Sequence, residues 1–196
     1  MRAFAGAAHV RVVQADALRF AYDSLYADGY ALFANMPYHI TTPLLKRLLC
    51  DGGAWRSMVL MMQKEAAHRI CLGQGRDNGP LSLLAAYYGV CELCFDLPPA
   101  AFYPPPAVTS TVIRITRHAT PPVPGNIAAI MRIVEAGFAE RRKLLANSLA
   151  ASPLPGGKDD WLAALAACGL PADCRAESLS LTDFAALARW QTAYFA

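Results

Sequence analysis

The sequence has no apolar run of about 18 residues, the length that would indicate a membrane span. The segment formed by the first eight residues is too short and too weakly charged to predict a secretory signal. Its six cysteines have no spacing typical of a disulfide scaffold, which favours a reducing, cytoplasmic location. Charged residues make up only 17% of the chain against 55% hydrophobic residues, which excludes a disordered protein. With a net charge of +3, nucleic-acid binding would need a local basic patch.

Two kinds of binding site are also missing from the sequence. No glycine-rich cofactor loop is present, since Gly6 and Gly29 are isolated glycines. Cys91 and Cys94 have metal-ligand spacing, but no second pair accompanies them, and the four histidines form neither a triad nor a ligand pattern. His39 alone stands beside a candidate site residue. We therefore expect neither a metal nor a membrane partner.

Apolar stretches with strand character alternate with helical stretches over the first 120 residues. Strands are predicted over residues 9–14, 30–34, 57–62, 90–97 and 109–117, and helices over residues 41–49, 65–72 and 81–88. The stretch 57–62 is continuously apolar, which is typical of a strand buried on both faces. This alternation predicts an α/β fold with a mostly parallel, doubly wound sheet.

The composition changes after the proline-rich linker at residues 121–125. Every later periodic stretch is helical, over residues 127–149, 159–168 and 182–194. We interpret the chain as two domains, an α/β domain over residues 1–119 and a small all-helical domain over residues 124–196.

Two proline-anchored aromatic segments carry the chemical signal. In the first, Asn35 and Met36 follow a strand, Pro37 fixes a turn, and Tyr38 offers an aromatic face. The exocyclic nitrogen of adenine is a poor nucleophile because its lone pair is delocalised into the ring. An amide oxygen of Asn35 and the backbone carbonyl of Met36 could accept both amino protons and so free that lone pair. Phe102, in the second segment, could close on an extruded base from the other side.

Taken together, the order and spacing of several segments strongly resemble the small-subunit ribosomal RNA adenine dimethyltransferases, the KsgA (RsmA) family. The matching segments are residues 15–18, 35–38, 63–65, 102–110, 138–149 and 175–180. The resemblance implies a partial Rossmann-like class I methyltransferase sheet in a truncated catalytic domain over residues 1–119, and a small all-helical RNA-binding C-terminal domain over residues 124–196. It also implies S-adenosylmethionine-dependent conversion of two adjacent adenines of small-subunit ribosomal RNA to N6,N6-dimethyladenosine.

The resemblance assigns a role to each candidate residue. Catalytic roles fall to Asn35, Tyr38 and Phe102. Cofactor contacts fall to Asn35, Met36 and Asp16, whose carboxylate would accept a hydrogen bond from the adenine of the cofactor. RNA phosphate contacts, on the small-subunit RNA or the pre-ribosomal small subunit, fall to Arg141, Arg142 and Lys143.

Plainer interpretations of some of these residues remain open. Asp16 could cap the turn that follows it, and Phe102 could be a core aromatic residue. The basic triplet 141–143 could be a solvated helix face.

The sequence departs from the family pattern at its amino-terminal side. The first family strand, its glycine-rich loop and the acidic ribose-binding residue have no counterpart in the sequence. We therefore expect the chain to lack that portion of the family fold and to bind S-adenosylmethionine poorly or not at all. Three functions are open: the dimethyltransferase, a non-catalytic RNA-binding or ribosome-assembly module, and a large-subunit RNA methyltransferase of the antibiotic-resistance type. We further expect the strand 30–34 either to expose an apolar edge or to pair with the strand 9–14.

Overall fold

The computed structural model describes residues 9–22, 28–51, 53–73 and 75–195, except for the side chain of residue 76. The described chain forms four strands, β1 (Tyr30–Asn35), β2 (Trp55–Gln63), β3 (Gly89–Leu97) and β4 (Ser110–Arg117). Its α-helices are α1 (Thr41–Asp51), α2 (Lys64–Leu72), α3 (Pro80–Tyr88), α4 (Ile127–Phe138), α5 (Leu145–Ala150), α6 (Lys158–Ala167) and α7 (Leu181–Tyr194). The predicted α/β class is confirmed.

The four strands form one sheet in the order β1-β2-β4-β3. The pair β1/β2 is parallel, whereas β4 runs antiparallel to both of its neighbours. The expectation of a mostly parallel sheet is therefore wrong for two of the three strand pairs. No crossover helix separates β3 from β4, so the chain returns beside β3 in the opposite direction. As a result, the ends of β1, β2 and β3 and the start of β4 lie at the same edge of the sheet.

Burial alternates along β2, which was expected to be buried on both faces. Met58, Leu60 and Met62 are fully buried, whereas Val59 and Met61 on the opposite face are only partly covered by the described residues. Helices α2 and α3 pack on the sheet and seal the first face. The second face, here called the outer face, remains partly open because no described helix seals it.

Residues 9–14 do not form a strand, so that prediction is wrong. Residues 9–16 are exposed and pair with none of the described strands. Alternating β-branched residues supply local strand propensity, but a strand also needs a hydrogen-bonded neighbour. Of the two alternatives predicted for the strand 30–34, pairing with this segment is wrong, and the exposed apolar edge is what the described residues show. Among the described strands β1 pairs only with β2, and Phe33 on β1 is 75% exposed.

The predicted helix over residues 127–149 is in fact two helices, α4 and α5, separated by a turn over residues 139–144. Gly137 permits this turn, because a Cβ there would lie only 2.8 Å from Cδ1 of Leu145. The backbone N–H of Leu145 donates to the carbonyl of Cys174 at 2.9 Å, which supplies a partner at the start of α5. The basic triplet therefore lies in a turn and not on a helix face.

The sheet region (residues 28–118) and the helical region (residues 124–195) share one apolar core. Asn78 is 4% exposed and connects the two regions, since its side-chain nitrogen donates to the carbonyl of Leu179 at 2.8 Å. Lys46 and Glu135 form an ion pair of 2.6 Å across the same boundary. The proposed division into two domains remains an interpretation.

Candidate active site

The segment that follows β1 is a rigid turn at the sheet edge. The backbone N–H of Met36 donates to the carbonyl of Met61 at 2.9 Å and extends the β1/β2 pairing by one residue. The Pro37 carbonyl accepts two hydrogen bonds of 3.1 Å, from the N–H of Ile40 and the hydroxyl of Thr41. These bonds lock the one-turn 3₁₀ helix Tyr38–Ile40 and lead directly into α1.

Two oxygens of this turn differ in exposure. Met36 is 1% exposed as a whole residue, so it anchors the turn in the core with its carbonyl covered, while Asn35 beside it is exposed. Within the described part of the chain, no donor reaches the Asn35 amide oxygen or the Met36 carbonyl oxygen. The turn therefore presents one exposed acceptor, the Asn35 amide oxygen, and holds a second unused acceptor, the Met36 carbonyl, below the surface.

Tyr38 connects this turn to the second aromatic segment. Its hydroxyl lies 2.6 Å from Oγ of Ser110, the first residue of β4, at a separation of 72 residues in the chain. The Tyr38 ring is half-buried, and Ser110 is fully buried. The contact therefore ties the hydroxyl end of the ring to the sheet and leaves part of the ring at the surface.

Phe102 lies on the loop between β3 and β4. A one-turn 3₁₀ helix, Pro99–Ala101, precedes it, and its N–H donates to the carbonyl of Pro99 at 3.1 Å. Phe102 is half-buried, whereas Tyr103 next to it is fully exposed. Because β4 begins at Ser110, this loop ends beside Tyr38, and both predicted segments belong to the same edge of the sheet.

A group of hydrogen-bonded polar side chains, here called the polar brace, lies at the start of β4 on the face opposite Ser110. The Thr111 hydroxyl donates to Oδ1 of Asp96 at 2.6 Å, and Lys64 donates to Oδ2 at 2.6 Å. Hydrogen bonds from Lys64 and Thr111 hold the pKa of the Asp96 carboxyl below its usual range. The brace fixes the β3 and β4 ends that carry the Phe102 loop.

Asp16 behaves as the plainer interpretation expects. Its Oδ1 accepts the N–H of Leu18 at 2.9 Å, and its Oδ2 lies 3.6 Å from Nε of Arg19. The carboxylate thus caps its own turn, and the side chain is 56% exposed. Its cofactor role remains a prediction without support from this geometry.

The basic triplet divides into residues with different surroundings. Arg141 donates to the backbone carbonyl of Asn78 at 3.0 Å and so contributes to the connection between the two regions. Lys143 pairs with Glu140 at 2.7 Å. Arg142 is exposed. A groove of about 430 Å³ opens between the regions, and its lining includes Arg141.

The cysteines and the histidine considered above as possible metal ligands have different surroundings. Cys91 lies on the inner face of the sheet, where its hydrogen bond with Cys71 and burial raise the pKa of the Cys71 thiol. Cys94 is exposed, and His39 is exposed beside Tyr38. Within the described ranges, no three histidine, cysteine or acidic residues cluster as metal ligands. None of the helices in those ranges is long and apolar enough to cross a membrane.

Sequence reasoning missed the hydroxyl of Ser110 as a site residue. The residue lies within one of the segments that carry the family resemblance, but its partner is distant in the sequence. The only local signal was a hydroxyl at the start of an apolar strand, directly after a proline-rich loop.

A family model described as "Ribosomal RNA adenine dimethylase" matches residues 2–191 of the chain. The chain is 39% identical over 196 residues to Ribosomal RNA small subunit methyltransferase A of Pelotomaculum thermopropionicum, covering 93% of this chain and 66% of the relative. It is 38% identical to the protein of the same name from Methylococcus capsulatus, covering 96% of this chain and 71% of the relative. The chain thus spans about two thirds of the length of these curated relatives.

Two solved structures are similar in fold. A dimethyladenosine transferase from Plasmodium falciparum superimposes with a TM-score of 0.75 at 20% identity, covering 94% of this chain and 73% of that one. The 23S rRNA methyltransferase ErmE superimposes with a TM-score of 0.68 at 22% identity, covering 97% of this chain and 75% of that one. The Rossmann-like class I methyltransferase fold expected from the sequence is thereby confirmed.

Proposed function

The chain belongs to the ribosomal RNA adenine dimethylase family, and from that premise we propose that it acts in the S-adenosylmethionine-dependent N6,N6-dimethylation of adjacent adenines in small-subunit ribosomal RNA. The observation that carries the proposal is the joining of the two aromatic segments at one sheet edge by the contact between Tyr38 and Ser110. Beside that contact stand the two unused acceptors of Asn35 and Met36.

The acceptors suit the amino group of adenine. If Asn35 Oδ1 and the Met36 carbonyl accept one amino proton each, the nitrogen turns pyramidal and its lone pair points away from both oxygens. The benefit grows as the nitrogen gains positive charge in the transition state, so these contacts raise the rate of transfer more than the affinity for RNA. β-ladder pairing and the Pro37 turn hold the backbone that carries both oxygens. The exposed Asn35 side chain and the covered Met36 carbonyl must still adjust to accept the amino protons.

Tyr38 and Phe102 would hold the extruded base by stacking. Both rings are half-buried, so each has one part fixed by the protein and another part at the surface. Stacking of a base on an aromatic side chain contributes about 1–3 kcal/mol. Tyr38→Ala and Phe102→Ala should therefore weaken retention of the base, whereas Asn35→Ala should mainly slow methyl transfer.

The methyl donor of the proposed reaction is S-adenosylmethionine, which supplies a methyl group already activated on its sulfonium carbon. The described residues match only part of a site for it. The amide oxygen of Asn35 is exposed at the sheet edge, whereas the Met36 carbonyl is covered and the carboxylate of Asp16 is engaged with Leu18 and Arg19. The contribution argued for this chain is therefore the binding and orientation of the target adenine.

The basic turn is proposed to contact RNA phosphates. Arg142 and Lys143 are exposed on a turn that the connection between Arg141 and Asn78 holds against the sheet region. Neutralising phosphates with such side chains supplies much of the affinity of RNA-binding proteins. The proposed partner is the small-subunit RNA, free or in the pre-ribosomal small subunit, in the cytoplasm.

Methyl transfer tests the proposed function. The chain would be incubated with radiolabelled S-adenosylmethionine and a small-subunit RNA hairpin that contains two adjacent unmodified adenines. With S-adenosylmethionine in large excess, to offset the weak cofactor binding expected from the sequence, we expect up to two methyl groups on each adenine. Asn35→Ala should lower the rate roughly 100-fold or more with nearly unchanged RNA affinity.

The matched control for Asn35→Ala is Asn126→Ala, which removes the amide that caps α4 in the helical region. It should cost about 1 kcal/mol of stability while leaving the rate of transfer unchanged. A normal rate in Asn35→Ala would refute the assigned role. RNA binding without any methyl transfer by the unmodified chain would favour the non-catalytic RNA-binding module instead.

A further inference from the structure

Ser110 is a buried hydroxyl at the centre of the candidate site. It opens β4, pairs with Gln63 of β2 and Leu97 of β3, and has no exposed surface. A hydroxyl in such a place needs a hydrogen-bond partner, because leaving it unpaired is costly. Its partner is the hydroxyl of Tyr38, at 2.6 Å.

The contact holds the hydroxyl end of the Tyr38 ring. The Tyr38 backbone is already held in the one-turn 3₁₀ helix, so the ring is fixed at both ends. Its remaining freedom is small, although part of the ring lies at the surface. A ring that is both exposed and fixed is suited to stacking a base in a defined orientation.

Thr111 supplies a natural comparison. It is the next residue of β4, is 1% exposed, and uses its hydroxyl for Asp96 rather than for Tyr38. Successive residues of a strand point to opposite faces, which explains why the two hydroxyls have different partners. Both are buried and hydrogen-bonded, but only Ser110 contacts a residue of the proposed site.

We propose that Ser110 is a positioning residue for the target adenine, acting through the hydroxyl of Tyr38 to set the orientation of the stacking ring. The functional part of this inference rests on the proposed methyltransferase activity. Without the contact, the ring retains its area for stacking but loses its fixed orientation. The base would then bind with similar affinity and be presented to the methyl donor less often in a reactive geometry.

The positioning of the ring is tested without any activity. The chain would be labelled with 3-fluorotyrosine, and the ¹⁹F resonance of Tyr38 identified among the eight tyrosines by its loss in Tyr38→Phe. We expect Ser110→Ala to shift this resonance and to increase the mobility of the ring, and Thr111→Val to leave both unchanged. An unchanged Tyr38 resonance in Ser110→Ala, or an equal change in Thr111→Val, would overturn the positioning claim.

Kinetics tests the consequence for the reaction. We expect Ser110→Ala and Tyr38→Phe each to lower kcat by about tenfold, because the base is then presented less often in a reactive geometry. The double variant should lose no more than either single variant, because both substitutions remove the same contact. KM for RNA should stay within about twofold of the unmodified chain, since phosphate contacts supply most of the affinity.

Asn126→Ala, which removes the side-chain cap of α4 in the helical region, controls for stability in the same assay, with an unchanged kcat as the expected result. Additive losses in the double variant, or a change in KM alone, would overturn the inference. A failure of the proposed function is distinguishable, because the unmodified chain would then transfer no methyl group while the ¹⁹F experiment still decides whether Ser110 positions Tyr38.

Discussion

The core of the helical region and the outer face of the sheet bury their aromatic residues to very different extents. Trp161 and Phe184 of the helical region are fully buried. In the sheet region, Phe33 is 75% exposed and Phe95 is 58% exposed, both on the outer face. The inner face of the same sheet is as well sealed as the helical region, with Met58 and Ile113 at 0% exposure.

The contrast separates the parts of the molecule that are fixed by packing from those open to a ligand. The helical region forms a closed core, and its exposed basic turn lies on a rigid frame. The proposed site residues of the sheet region lie at an edge where one face is sealed and the other is not. A buried anchor such as Met36 and an exposed neighbour such as Asn35 can therefore be adjacent, with one supplying rigidity and the other supplying contact.

The largest expected effect is on the free energy of unfolding, and it is tested with one aromatic residue from each region. Trp161→Ala should cost about 3–5 kcal/mol of unfolding free energy, because it empties a filled core. Phe33→Ala should cost at most about 1 kcal/mol, the range spanned by strand propensities at open positions. Urea unfolding measures both. Equal losses would mean that the outer face is covered in solution, and would remove the contrast between the regions.

Asn78→Ala tests how strongly the two regions are coupled. It removes the hydrogen bond to the buried carbonyl of Leu179, and should cost about 1–3 kcal/mol. Because Asn78 bridges the regions, we expect hydrogen exchange to become faster in α4 and α7 than in the sheet. Asn126→Ala, which removes a local cap of α4, is the control. A uniform increase in exchange throughout the molecule in Asn78→Ala would contradict a bridging role.

A smaller effect is expected on the salt dependence of RNA binding by the basic turn, residues 141–143. Arg142→Ala should reduce the slope of log affinity against log salt by about 0.7, the value for one lost phosphate contact on single-stranded RNA. Arg141→Ala should in addition lower stability, because Arg141 donates to the carbonyl of Asn78. Filter binding over a salt series and urea unfolding separate the two effects. An unchanged slope in Arg142→Ala would rule out its phosphate contact.

The smallest expected effect concerns Asp96. Its folded pKa lies below its unfolded value of about 3.9, so the brace with Lys64 and Thr111 stabilises the fold above that pH. This contribution is lost as the pH falls through the folded pKa, and it is small because the carboxyl is exposed to solvent. In carboxyl-carbon NMR titrations, Thr111→Val should raise the pKa of Asp96. A titration of the unmodified chain at or above the ordinary value would contradict the proposed brace.

Local signals were sufficient for much of the fold. Pro37, and Thr41 before Pro43, mark a turn and a helix start within a few residues, and the structure places both where the sequence predicts them. The loop carrying Phe102 was equally readable, because prolines both limit the backbone and interrupt the flanking strands. These features depend on residues that are close together in the chain.

The errors arose where distant contacts decide the structure. The break between α4 and α5 depends on the close approach of Gly137 to Leu145 and on the carbonyl of Cys174, which no periodicity signals. Residues 9–14 have the pattern of a strand but no neighbour to pair with among the described residues. Ser110 was missed for the same reason, because its significance depends on a tyrosine 72 residues away.

The central claim is that the extruded adenine binds at the sheet edge between Tyr38 and Phe102 and not in the helical region. Photocrosslinking tests it directly and requires no catalysis. The target adenine of the RNA hairpin would be replaced by 8-azidoadenine, with the same substitution in the hairpin stem as the control, and the crosslinked residues would be identified by mass spectrometry. The account predicts crosslinks at Tyr38 or Phe102 for the target position and not for the stem position. Crosslinks of the target position confined to α4–α7 would contradict it.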